Sequence, residues 1–99
     1  MRVCVVTRAE HDYVELVYGQ GHAAPDGAHL EVVPGSRAGR DLGISKPTYF
    51  HATAVHFVHI ARLRRKAGRC PQRLFLRLLE FAEVERARGY PGQAQDEGR

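Results

Sequence analysis

Arg62, Arg64, Arg65, Lys66, Arg69 and Arg73 crowd into one short stretch of the chain with no acidic residue among them. Like charges at this density repel one another unless solvent or a partner screens them. The cluster therefore suits a phosphate backbone or an acidic protein surface, and it equally describes a solvated junction between two elements. If it met ~4–6 phosphates, binding would weaken steeply with salt, log K falling with a slope of about −3 to −5. Arg37, Arg40 and Lys46 add cations within residues 35–47, the longest irregular stretch. A loop of that length in so small a domain often carries function.

Six histidines raise the question of a metal, above all His51, His56 and His59. Zinc ligands must converge on one point. On a strand, His56 and His59 would face opposite sides of the sheet. On a helix they would share a face but find no Cys or carboxylate nearby to complete a set. They read as surface or packing residues, and no metal or cofactor is expected. Cys4, between Val3 and Val5, reads as a small buried hydrophobe, and Cys4 and Cys70 as thiols in a reducing compartment. The chain has no Gly-x-Ser-x-Gly, P-loop or dinucleotide-binding fingerprint. Turn geometry accounts for the glycines of Gly19-Gln20-Gly21.

The elements that must position these groups are legible in outline. Residues 2–7 and 13–18 are β-branched and apolar, and the polar link Arg8 to Asp12 joins them as an antiparallel hairpin. Gly19 to Ala28 reads as a loop, and residues 29–33 as a half-buried strand closed by Pro34-Gly35. Pro47 disfavours helix at Lys46, so Thr48-Tyr49-Phe50 should be extended. Residues 51–67 admit two readings. The composition of Ala54 to Ile60 favours a strand, whereas a shared face for Ala54, Phe57, Val58 and Ala61 would make a helix. Residues 71–88 form a helix: Leu74, Phe75, Leu78, Leu79, Phe81 and Ala82 keep helical spacing, Pro71 suits its first turn, and Gly89 ends it.

The expected fold is mainly β with a C-terminal helix. The alternative is a three-stranded sheet followed by two C-terminal helices. With 99 residues the chain makes one domain, residues 1–89, with a polar and disordered tail over 90–99. A hydrophobic content of 43% and a charged content of 26% suit a soluble globular protein. No apolar run is long enough to span a bilayer, and the N-terminus reads as a strand rather than a signal peptide, which places the chain in the cytoplasm. The net charge of +4 is a mild basic bias.

The order of these segments resembles the PemK/MazF-type toxins. The strand Arg2-Val3-Cys4-Val5-Val6, the strand ending in Tyr18-Gly19, and the loop entering Lys46-Pro47-Thr48-Tyr49-Phe50 carry the likeness. Gly68-Arg69-Cys70-Pro71 and the C-terminal helix continue it. The resemblance implies a small SH3-like barrel, dimeric in most members, that cleaves single-stranded RNA without metal and is neutralised by an antitoxin. It places Arg2 in the position of a catalytic arginine, with Val3 where the family often has Pro. It places Gln20 where many relatives carry the hydroxyl of a Thr-Ser pair. Endoribonuclease activity then requires that Arg2, stabilising a pentavalent phosphate, suffice without that hydroxyl.

The expectation is a toxin-like basic protein that binds, and with Arg2 cleaves, single-stranded RNA through Arg37, Arg40, Lys46 and the 62–73 cluster. The alternative is a non-enzymatic inhibitor from a phage or mobile element, comparable to anti-CRISPR proteins, that docks on a nucleic-acid-handling complex.

Overall fold

The computed structural model describes residues 3–63 and 68–91. Four strands, β1 (Cys4–Glu10), β2 (Tyr13–Gln20), β3 (His29–Val32) and β4 (Thr48–His59), form one antiparallel sheet in the order β1-β2-β4-β3. The sheet curls into a half-barrel. A short helix α1 (Arg37–Leu42) lies between β3 and β4, a 3-10 turn (Ile60–Arg62) follows β4, and helix α2 (Gln72–Ala87) packs on the sheet.

The architecture is mainly β with a C-terminal helix. The helical alternative for residues 51–67, and with it the three-stranded sheet, is set aside over the described part, since β4 runs through His59 and pairs with both β2 and β3; residues 64–67 lie outside the described residues. Alternation alone does not describe this strand. Val17 pairs with Val55, but two residues on, Gly19 pairs with Phe50, so β4 carries the extra residues. That bulge lets Phe50 and Val55, of opposite parity, point into one core. Both are fully buried there with Val17 and with Leu78 and Ala82 of α2. The opposite face holds a second cluster, Val14, Leu16 and Val58, with Cys4, Tyr18 and Leu63 against it.

Several boundaries differ from the sequence reading. The hairpin link shrinks to His11-Asp12, because β1 continues to Glu10 and His11 takes a left-handed φ of 55°. Residues 35–47 are not wholly irregular. Ser36 caps α1 by accepting from the Gly39 N–H at 3.0 Å, and Gly43 closes it with φ 74°. Tyr90, assigned to a tail, belongs to the fold: its ring stacks on Phe57 and its hydroxyl bonds to Glu15. Residues 92–99, the rest of that tail, lie outside the described residues. Among the described residues no helix is long and apolar enough to cross a membrane.

Candidate functional site

An open cleft of about 1020 Å³ lies where the start of β1, the α1–β4 loop, the turn after β4 and the approach to α2 meet. Its lining joins apolar groups (Val3, Val58, Ile60 and Phe75) to Lys46, Arg62 and Arg69, and among the described residues it includes no acidic side chain. All three cations are exposed. No ion pair joins them to a carboxylate among the described residues.

Local backbone chemistry brings these distant cations together. Gly43 turns the chain out of α1, its N–H donating to the Gly39 and Arg40 carbonyls, and so delivers Ile44 to Lys46 to the rim. The segment before α2 is pinned to α1 by the Arg69 N–H, which donates to the Asp41 carbonyl at 2.7 Å. Gly68 makes that contact possible, because a Cβ there would collide with the same carbonyl oxygen. Arg62 is set by the 3-10 turn. His59 Nδ1 accepts from the Ala61 N–H at 3.0 Å, and the Ile60 N–H donates to the Asp12 carbonyl at 2.7 Å.

Of the cations singled out in the sequence, Lys46, Arg62 and Arg69 converge on the cleft. Arg37 and Arg40 are exposed on α1 outside its lining, and Arg40 donates to the Gly35 carbonyl at 2.7 Å. Arg73 is exposed in the first turn of α2, also outside the lining. Arg2, Arg64, Arg65 and Lys66 lie outside the described residues. Gln20 sits within β2 rather than in a loop, paired with Tyr49 and half-buried, and does not line the cleft. Val3, the neighbour of Arg2, does line it, and its carbonyl accepts from the Gly19 N–H at 2.8 Å. Both thiols also line the cleft. Cys4 is half-buried rather than fully enclosed, and burial pushes the pKa of Cys4 and Cys70 up, away from the thiolate.

The three suspect histidines go separate ways. His56 meets Tyr18 edge-on at 4.8 Å, and His59 caps the turn. His51 is buried and its ring lies 5.2 Å from His22 and 6.3 Å from His29. A carbonyl can only accept, so His51 Nε2 donates to the His22 carbonyl at 2.7 Å, while His29 Nδ1 accepts from the Ala24 N–H at 3.2 Å. These bonds fasten the β2–β3 loop to the sheet. Among the described residues no group of three or more His, Cys, Asp or Glu is arranged to hold a metal.

The sequence reading missed a buried charge network. Glu15 has no exposure, yet its carboxylate accepts from Arg86 Nε at 2.9 Å, Arg86 Nη2 at 2.6 Å, Tyr90 OH at 2.6 Å and Thr7 Oγ1 at 2.8 Å. Burial alone would raise its pKa, but the hydrogen bonds from Arg86, Tyr90 and Thr7, with the guanidinium charge, outweigh burial and hold it below the ordinary value. The same pair raises Arg86 further. One signal was available: Glu15 interrupts the apolar run Tyr13-Val14-Glu15-Leu16-Val17, a costly place for a charge without a partner.

Comparison with known proteins adds nothing to this geometry: no family model, no curated protein and no solved structure matches the chain.

Proposed function

We infer that this protein binds single-stranded RNA along the cleft, with Lys46, Arg62 and Arg69 on backbone phosphates and the apolar lining against sugars and bases. The observation that supports this reading is the convergence of three exposed cations on a cleft that, among the described residues, has no carboxylate in its lining. Cations held together without counter-charge repel one another, and a polyanion relieves that repulsion while releasing its own counterions. A small curled sheet with a terminal helix is also the kind of scaffold that the PemK/MazF likeness calls for, and the SH3-like barrel belongs to this reading.

Binding is better supported than cleavage. Among the described residues the cleft lining contains no His, Asp or Glu to move a proton, and burial pushes the pKa of its thiols up, away from the thiolate. A cleaving form of the proposal rests on Arg2.

Fluorescence anisotropy with a labelled single-stranded RNA tests the reading over a salt series. Three phosphate contacts predict a log–log slope of at least about −2 in magnitude, and each of Lys46→Ala, Arg62→Ala and Arg69→Ala should reduce it by about 0.7. Absence of binding at about 50 mM salt would overturn the proposal. The same RNA on a gel reports cleavage, which Arg2→Ala should abolish if Arg2 acts catalytically. An inhibitor that docks on a nucleic-acid-handling protein would use the same cations but show no such slope with naked RNA.

A further inference from the structure

Three aromatic rings stand in a near-parallel ladder on the α2 side of the sheet. Tyr13 and Phe57 have centroids 5.5 Å apart and planes 16° apart, and Phe57 and Tyr90 follow at 6.2 Å and 11°. Arg8 lies over Phe57, its Cζ 6.0 Å from the ring centre. The inner end of the ladder is fixed. Tyr90 holds a left-handed backbone at φ 55°, a conformation that a bulky residue keeps only when its surroundings impose it. Those surroundings are identifiable: its N–H donates to the Glu85 carbonyl at 2.9 Å, and its hydroxyl donates to Glu15 at 2.6 Å.

The outer end is open. Tyr13 is 44% exposed, and among the described residues His59 is the further ring that meets it, T-shaped at 5.2 Å and 78°. Tyr13 does not itself line the cleft; the link between them is the backbone, where the Ile60 N–H bonds to the carbonyl of its neighbour Asp12, and Ile60 and Arg62 are both cleft residues. Glu10, the cross-strand partner of Tyr13, and Asp12, its exposed neighbour in the chain, are the nearby charges that would repel a phosphate, and Arg8 pairs with Glu10 at 3.5 Å.

We propose that Tyr13 is a stacking platform for one base of a single-stranded RNA whose phosphates follow the cleft. The inference rests on the RNA-binding reading above. An aromatic face accepts any base, so the platform adds affinity without sequence preference. A ring already fixed by its neighbours loses little freedom when a base covers it.

The test compares labelled single-stranded RNA with inorganic polyphosphate, which offers the same charge and no base. Tyr13→Ala and Tyr13→Leu should weaken RNA binding by about 5-fold or more, Tyr13→Phe should preserve it, and the salt slope should stay unchanged in all three. Polyphosphate binding should be indifferent to Tyr13 and sensitive to Arg62→Ala. Tyr13→Leu keeps apolar packing on Phe57, so a loss shared by Ala and Leu but not Phe identifies the aromatic face. If wild-type protein binds RNA with its salt slope while Tyr13→Leu binds equally well, the platform is refuted and the cleft stands. If wild-type protein binds no RNA, both readings fall.

Discussion

Glu15 and the cleft handle charge in opposite ways. The Glu15 carboxylate is sealed from solvent and met by Arg86, Tyr90 and Thr7. Lys46, Arg62 and Arg69 are exposed around a lining that, among the described residues, has no acidic side chain. The first arrangement uses charge to hold the end of α2 against β2. The second leaves charge available for something outside the chain. Counting charges along the sequence draws attention to the basic stretch, yet the glutamate that ties α2 to the sheet stands alone in an apolar strand. Density of charge and energetic consequence are separate quantities, and burial separates them.

Removing charge from each region should break or sharpen this contrast. The largest effect is expected for Arg86→Ala, which leaves Glu15 buried beside fewer donors and should cost about 3–5 kcal/mol in urea unfolding. A loss under about 1 kcal/mol would show that the network is incidental. Next comes Gly68→Ala, which forces a methyl against the Asp41 carbonyl and should cost about 1–3 kcal/mol while moving Arg69 off the cleft. Its RNA affinity should therefore fall along with its melting temperature, linking the scaffold to the site.

Acid should act on the first region alone. Because the Glu15 pKa is lower in the folded protein than its ordinary value of 4.5, the unfolded chain takes up the proton first. Its stabilisation is complete above that pH and is lost as pH falls through the lower folded value. Urea midpoints measured from neutral pH downward should fall across that range in the wild type and fall less in Glu15→Gln, which has no proton to gain there. The smallest stability effects belong to the cleft. Lys46→Ala, Arg62→Ala and Arg69→Ala should each change unfolding free energy by no more than about 0.5 kcal/mol, although each weakens RNA binding. A cleft variant that unfolds as readily as Arg86→Ala would erase the distinction between the two regions.

How far the sequence shows these features depends on the range of the interaction behind each one. Helix α2 is plain from the spacing of Leu74, Leu78 and Ala82, and the β1–β2 hairpin from two apolar runs with a polar link. Helix α1 had signals, Ser36 as N-cap and Gly43 as closing residue, but only six residues lie between them, with Gly39 in their midst. Too short to show a period, it was hidden in a loop. The site was half visible. The cations were evident, but which of them meet was not, because Lys46 and Arg69 are brought together by the contact of Gly68 and Arg69 with Asp41.

The sequence by itself determined the elements that rest on neighbours close along the chain: the first three strands, the final helix, its glycine stop and the basic bias. These follow from dihedral preference and from periodic burial, which act over a few residues. Only the tertiary structure decided that Glu15 would be paired, since its partners Arg86 and Tyr90 stand 71 and 75 residues away. It also decided that Phe50 and Val55 would share a core across a bulge, and that three of the many cations would line one cleft. Contacts at that separation leave no periodic trace, because each is fixed by how whole elements pack rather than by the residues beside it.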